Sequence, residues 1–366
     1  MWWRRSRNAL APTHRRSRAP YRANRRIDLL DDFFSLCRRE LVAEGGSRAR
    51  EYLERRGLPV DTIERCGLGV VPNPASSRRA LQAAGYSESE IDRSNVLADS
   101  RWAGRVCGAW RDESGRVRTL WTRALDDGET PGSRYLYLRG ASRTDLPPYG
   151  LSRVLKQPLP ARRQLVLVEG LFDVHQLRSR EVENVAALGG TGVRTRTFER
   201  LAQLGFERVT LCLDRDDAGR AAIGRAVEQS ARAARSPAVF VVDPDHFAPA
   251  KDPDALVWER GVDAWLAVLR TAECGVAWSA RELLGGAHPE ADQTVRRAAL
   301  MRAGAWLGKL GPRLALEQED AVRSVAAQCG YTPEAVERAF RSRYWERLVD
   351  GPSRQDERSA SLGVER

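Results

Sequence analysis

The chain has 366 residues, 42% hydrophobic and 30% charged, with a formal net charge of +11 and a sequence pI of about 9.8. That length is enough for two or three domains with cores of their own, and no apolar run approaches the ~20 residues of a membrane helix. The basic excess favours a polyanionic partner, nucleic acid first. Six cysteines (Cys37, Cys66, Cys107, Cys212, Cys274, Cys329) are scattered without CxxC spacing, so no zinc site is expected and the thiols read as reduced core fillers. Trp2 and Trp3 are followed by arginines rather than an apolar signal core, which predicts a soluble, cytoplasmic protein. The cations are nearly all arginine; Lys156, Lys251 and Lys309 are the lysines.

Residues 1–27 are Arg-rich, with no acid and no hydrophobic period, and are expected to form a disordered tail able to touch a polyanion. Helical periodicity begins at LLDDFFSLCRRELV and resumes in SRAREYLERRGL, where Gly57 suits a helix C-terminus. PVDTIERCGLGVVP reads as a short helix running into a strand, and ASSRRALQAAGYSESEIDRSNVL as two helices around a stop at Gly85. RWAGRVCGAWRDESGRVRTLWTRAL predicts a hairpin about an Asp112–Gly115 turn, and SRYLYLRG a further strand. Interleaved arginine and aromatic residues suit a single-stranded nucleic-acid track. An amphipathic sheet with one solvated face fits that pattern equally well. These elements make a basic α+β subdomain over 28–160, closed by the Pro-rich stretch near 147–161.

Strands and helices then alternate through 161–260: LVLVEG, LFDVHQLRSR, NVAALGG, RTFERLAQLG, RVTLCLD, AGRAAIGRAVEQSARAA and AVFVVD. Such alternation predicts right-handed βαβ crossovers and a mainly parallel sheet. After Trp258 the strands are expected to stop. Residues 261–345 read as four or five helices, with Trp265, Trp278 and Trp306 in their core, and 346–366 as a second disordered tail.

Three acidic clusters fall at the ends of the apolar runs: Glu169 and Asp173 in VEGLFD, Asp214, Asp216 and Asp217 in LDRDDAG, and Asp252 and Asp254 in KDPD. In an open α/β sheet such ends converge on one crevice, and crowded carboxylates call for a divalent cation, which suggests Mg²⁺-dependent phosphoryl chemistry. Glu169 and Asp173 are spaced to share a helical face. A continuing pleat would put Asp214 and Asp216 on one side. His175 lies close by in sequence, but a core histidine is the simpler reading.

EGLFD, NVAALGGTG, LCLDRDDAG and AKDPDAL together resemble the Toprim domain, in the version carried by bacterial DnaG-type primases. REYLERRGLPVDTIERCGLGVVP, the hairpin and SRYLYLRG through LPPYGL resemble that family's upstream elements, and the later helices its third subdomain. The resemblance spans about 45–343 and is strongest over 164–256. It implies an α/β Toprim parallel sheet flanked by a basic N-terminal α+β subdomain and a C-terminal helical subdomain. It further implies DNA-directed synthesis of short RNA primers from nucleoside triphosphates on single-stranded DNA. Glu169 and Asp214 would be catalytic. Glu169, Asp173, Asp214, Asp216, Asp252 and Asp254 would bind Mg²⁺ or Mn²⁺, and Arg105, Arg123, Arg134, Arg215 and Lys251 would contact nucleic acid or nucleotide.

The sequence departs from the family pattern at two places. Arg215 stands where the family has glycine between its aspartates, with Asp217 following, and Arg134-Tyr135-Leu136-Tyr137 replaces a lysine-tyrosine-leucine-asparagine stretch. Neither the family's zinc ribbon nor its helicase-docking extension is expected here, so a replicative helicase or a separate zinc-domain protein is an implied partner. A Toprim nuclease, in which the same carboxylates direct water, and a non-catalytic single-strand-binding protein are the alternatives; a topoisomerase would need a large further domain bearing its tyrosine nucleophile.

Overall fold

The computed structural model describes residues 22–58, 62–63, 67–126, 134–140, 142–143, 145–158, 163–190 and 192–341. Cys66, the tail at 346–366 and most of the N-terminal tail lie outside these residues. The expected tail boundary at residue 27 is too late, because helix α1 (Arg22–Val42) already includes its last six residues. The extension is held by polar contacts, which apolar periodicity does not reveal: the Arg25 guanidinium pairs with Glu90 and donates to the Gly85 carbonyl at 2.7 Å.

The first subdomain is built on an antiparallel sheet in the order β1 (Leu68–Val70), β2 (Val106–Arg111), β3 (Val117–Arg123) and β4 (Tyr135–Tyr137). The predicted hairpin is β2–β3. Its turn is tied by Asp112, whose carboxylate accepts from the backbone N–H groups of Ser114 and Arg116. Both faces of the sheet carry apolar packing, and Arg118 is the exposed residue of β3. Leu29, Leu30, Phe33, Phe34 and Cys37 of α1 cover Cys107, Val117 and Leu120 on one side. On the other, Val106, Trp110 and Trp121 join a core that includes Tyr52 and Leu53 of α2 (Ser47–Arg55) and reaches into the second sheet.

That second sheet has the order β6 (Val185–Ala187), β5 (Gln164–Val168), β7 (Arg208–Cys212), β8 (Ala238–Val241) and β9 (Glu273–Cys274). The first four strands are parallel, as the βαβ alternation predicts. β9 is antiparallel to β8 and corrects the expectation that strands end at Trp258. Two residues are too short to leave a periodic signal. The alternate side chains of the buried strands enter different cores. Leu165, Leu167, Val209 and Leu211 pack with Phe198, Ile223, Trp278 and Leu300, whereas Val166, Val168 and Cys212 pack with Val174, Leu256 and Trp265. The C-terminal helices are therefore shared between the two faces of the sheet. One long helix over Pro253–Arg270 breaks at Gly261, whose φ of 78° and ψ of 178° are not helical. Four more helices follow at Gly275–Glu282, Gln293–Leu307, Ala315–Cys329 and Pro333–Arg341.

Candidate metal centre at the ends of the parallel strands

β5 and β7 are hydrogen-bonded neighbours, with Val168 opposite Cys212 at their carboxyl ends. Glu169 directly follows β5, and Asp214 stands two residues beyond β7. The loop carrying Asp252 and Asp254 comes after β8 and is tied to the Asp214 loop, since the Arg215 N–H donates to the Lys251 carbonyl at 2.8 Å. Topology thus brings all three acidic clusters to one end of the sheet.

The backbone turns sharply at each cluster, so two of the geometric expectations fail. Glu169 precedes its helix (Leu171–Ser179) instead of sharing a face of it. Asp173 folds back, and its carboxylate accepts the Gly170 N–H at 2.9 Å. A Cβ on Gly170 would lie 2.9 Å from both Asp173 oxygens, so glycine is what admits this carboxylate. Asp214 and Asp216 are not successive members of a pleat, because the Asp216 N–H bonds back to the Asp214 carbonyl at 3.0 Å. Asp216 caps the helix Asp217–Arg232, accepting the Gly219 N–H at 2.7 Å, and Asp252 caps the helix that follows it, accepting the Ala255 N–H at 2.7 Å. Each cap occupies one carboxylate oxygen and leaves the other available.

The electrostatics are those of a site with too much negative charge. Glu169 Oε2 and Asp214 Oδ1 are buried and make no hydrogen bond, a costly state for a carboxylate. Burial, followed by repulsion from Glu169, pushes the Asp214 carboxyl up to about 7. Burial and then Asp252 raise Asp254 to about 6. Burial and then Asp216 raise Glu169, while burial and then Asp214 hold Asp173, only 7% exposed, well above the usual carboxylate range. Positive charge stands at the rim: Lys251 Nζ is 3.6 Å from Asp252 and Arg56 is 4.0 Å from Asp254. Among the described residues no three His, Cys, Asp or Glu side chains are already gathered into a metal-holding group. The donor set still fits a hard divalent cation, because it consists of carboxylate oxygens, two of them buried without partners.

Sequence reasoning missed Arg56. It caps the C-terminus of α2 at the rim of the site, and its backbone carbonyl accepts from the buried Gln176 amide. Nothing in a helix-terminal RRG marks such a role in isolation. The other basic residues are dispersed. Arg215 and Lys251 are exposed on the linked loops. Arg123 is 5% exposed, donates to the hydroxyls of Tyr52 at 2.6 Å and Tyr135 at 2.5 Å, and lies 4.7 Å from the Phe172 ring. Arg105 is 6% exposed and donates to the carbonyl of exposed Arg134 at 2.7 Å. Tyr137, in the position of the family's asparagine, stacks on Arg143, whose Cζ is 3.6 Å from the ring centroid. His175 is a core residue, bonded through Nε2 to the Tyr149 hydroxyl at 2.8 Å.

Comparisons with known proteins agree with this architecture. A Toprim-like family profile matches residues 166–257. DNA primase of Haemophilus influenzae is 29% identical over 232 residues, covering 58% of this chain and 36% of that protein. DNA primase of Legionella pneumophila is 30% identical over 241 residues, covering 62% and 40% respectively. The chain therefore spans about two fifths of the length of these relatives. Among solved structures, the RNA polymerase domain of Mycobacterium tuberculosis primase DnaG superposes with a TM-score of 0.68 at 20% identity, over 82% of this chain and 97% of that one. A DnaG primase catalytic domain bound to single-stranded DNA superposes with the same TM-score of 0.68 at 22% identity, over 86% and 98%. The chain carries a Toprim-like domain within the fold of the bacterial DnaG-type primase catalytic core.

Proposed function

We propose that this chain is a primase-type nucleotidyltransferase that joins ribonucleotides into short primers on single-stranded DNA. The observation that carries the proposal is the pair of buried, unpartnered carboxylate oxygens of Glu169 and Asp214, just past the carboxyl ends of adjacent parallel strands. Glu169, Asp214, Asp254 and the free oxygens of Asp216 and Asp252 would hold Mg²⁺ or Mn²⁺. Bound there, the ion supplies Lewis-acid charge for the nucleotide phosphates and for an attacking primer 3′-hydroxyl. Asp173 positions the Gly170 turn and so the Glu169 carboxylate. Arg215 and Lys251 project from the linked loops toward solvent, where triphosphate oxygens would enter.

Template binding rests on the relatives. A DnaG catalytic domain has been solved with single-stranded DNA, and the Mycobacterium tuberculosis domain with a duplex bearing a six-nucleotide overhang. For Arg105, Arg123 and Arg134 we propose unequal roles. Arg134 is exposed and free to meet phosphate, while buried Arg105 and Arg123 support the sheet behind it. No helix among the described residues is long and apolar enough to cross a membrane; we place the activity in the cytoplasm, with a replicative helicase or a zinc-domain protein as partner. The test is incubation with single-stranded DNA, labelled ribonucleotides and Mg²⁺ or Mn²⁺. The expected products are short oligomers that disappear with Asp214→Ala or Glu169→Ala. DNA degradation without synthesis would establish a nuclease instead, and binding without either reaction a single-strand-binding protein.

A further inference from the structure

Among the described residues, one exposed aromatic ring lies outside the hydrophobic cores. Trp258 is 57% exposed and is the only aromatic side chain among the large hydrophobic residues exposed in the described structure. It stands on the helix Pro253–Arg270, four residues after Asp254, so the ring and that carboxylate share one helical face at the rim of the acidic crevice. Two features fix its position. Gly57 has a φ of 78°, and a Cβ there would lie 2.2 Å from the Trp258 ring, so the indole rests where only a glycine can pass beneath it. The Arg180 guanidinium lies over the ring, with Cζ 5.5 Å from its centroid. The Arg180 guanidinium is itself held by the Gln176 side chain at 2.9 Å and the Ser179 hydroxyl at 3.1 Å.

Cations line the rim of the acidic crevice beside the ring. Arg56 is adjacent in sequence to Gly57 and reaches Asp254, Arg260 is exposed two residues along the helix, and Lys251 is exposed at its start. An anchored, exposed aromatic ring with the Arg180 guanidinium close by and Arg56 at the same rim matches what an unpaired nucleotide offers, a π face for stacking and a phosphate for the guanidinium groups. We propose that Trp258 is a stacking shelf for an unpaired nucleobase entering the Toprim crevice, with Arg56 and Arg180 beside it for the adjoining phosphate. The proposal builds on the primase reading for the reaction that follows binding, but the binding itself is independent of synthesis.

The test measures anisotropy of a fluorescent oligothymidylate of about 15 nucleotides with the full chain, without nucleotides or metal. Trp258→Ala is expected to weaken binding by roughly 5- to 150-fold, the range of one lost base–aromatic stack, while Trp258→Phe keeps most of the affinity. The same oligonucleotide with abasic sites throughout should bind wild type and Trp258→Ala alike, and the slope of log K against log salt should not change, because no charge is removed. A loss restricted to ATP, measured by titration calorimetry, would place the nucleotide's base on the shelf rather than the template's. Equal affinity of Trp258→Ala and wild type for both the oligothymidylate and ATP refutes the shelf. So does an equal loss on the abasic strand, which marks a structural role. Failure of the wild type to make primers, with this binding pattern intact, would overturn the primase reading and leave the shelf standing.

Discussion

Gly219 and Gly224 lie in the same helix, Asp217–Arg232, and make a matched pair for testing how the first aspartate loop is held. Replacing a helical glycine with alanine ordinarily stabilises by about 0.5–1 kcal/mol. At Gly224 nothing lies within 4 Å of the added Cβ, so Gly224→Ala should deliver that gain. At Gly219 the Cβ would stand 2.1 Å from the Asp214 carbonyl oxygen and 3.0 Å from its carbonyl carbon. These are backbone atoms that cannot rotate aside. Overpacking of this kind costs about 1–3 kcal/mol, and displacing the Asp216 cap adds about 1 kcal/mol, so Gly219→Ala should be net destabilising by about 1–3 kcal/mol. The effect should also reach the site, because moving the Asp214 carbonyl moves its carboxylate. Urea midpoints measured without metal give the stability difference between the two variants. The rise in melting temperature on adding Mg²⁺ reports the site, and should shrink for Gly219→Ala but not for Gly224→Ala. If Gly219→Ala were as stabilising as Gly224→Ala, or kept the full Mg²⁺ response, the claim that this glycine sets the Asp214 loop would be wrong.

Three further outcomes follow from the charges. Asp214 and Asp254 have folded-state values raised to about 7 and about 6, against about 3.9 when unfolded. Their destabilising effect is absent below the unfolded value, develops as pH rises from there to the folded ones, and is complete above them. The metal-free protein should therefore lose stability between about pH 4 and pH 7, and Mg²⁺ should restore more at the higher pH; Asp214→Asn should flatten the dependence, and an unchanged slope in melting curves would contradict the crowding. Arg123→Ala leaves two tyrosine hydroxyls and a ring contact without their partner. It should cost about 2–4 kcal/mol in chemical denaturation, whereas Arg118→Ala, on an exposed pair 3.6 Å from Asp112, should stay within about 0.5 kcal/mol. Gly170→Ala should displace Asp173 and reduce primer synthesis more than it reduces the melting temperature, a disparity read by comparing the two measurements on one preparation.

The parallel sheet was legible in sequence because its strands are short, mostly apolar runs separated by helices, a pattern set by burial of the central strands on both faces. Glu169 and the aspartates were legible for a related reason, since a charged residue directly after such a run must lie where the strand emerges. What escaped was set by contacts distant in sequence. The start of α1 depends on Arg25 reaching Glu90 and Gly85, and β9 is defined by pairing with β8 rather than by its own two residues. The hairpin arginines illustrate the limit most clearly. Arg123 sits in an alternating strand that predicts an outward cation, yet α2 and Phe172 close over it, and its guanidinium is satisfied by Tyr52 and Tyr135.

The same distinction governs the acidic cluster. The residue types and their strand-end positions announce a cation site, but the division of labour among them is a backbone property. Asp216 and Asp252 each give one oxygen to a helix N-terminus, Asp173 gives one to Gly170, and Glu169 and Asp214 keep an oxygen with no protein partner at all. Spacing treats DxD as two equal ligands, whereas the fold makes the second aspartate of LDRDD a cap and the first the more exposed to repulsion. A cation therefore gains most from Glu169 and Asp214. Removing either should abolish metal-dependent stabilisation, while Asp216→Asn, which keeps an amide oxygen able to cap, should weaken it and leave the helix intact. Melting curves with and without Mg²⁺ separate the two cases, and an Asp216→Asn variant as unresponsive as Asp214→Asn would show that the capping aspartate is a full ligand after all.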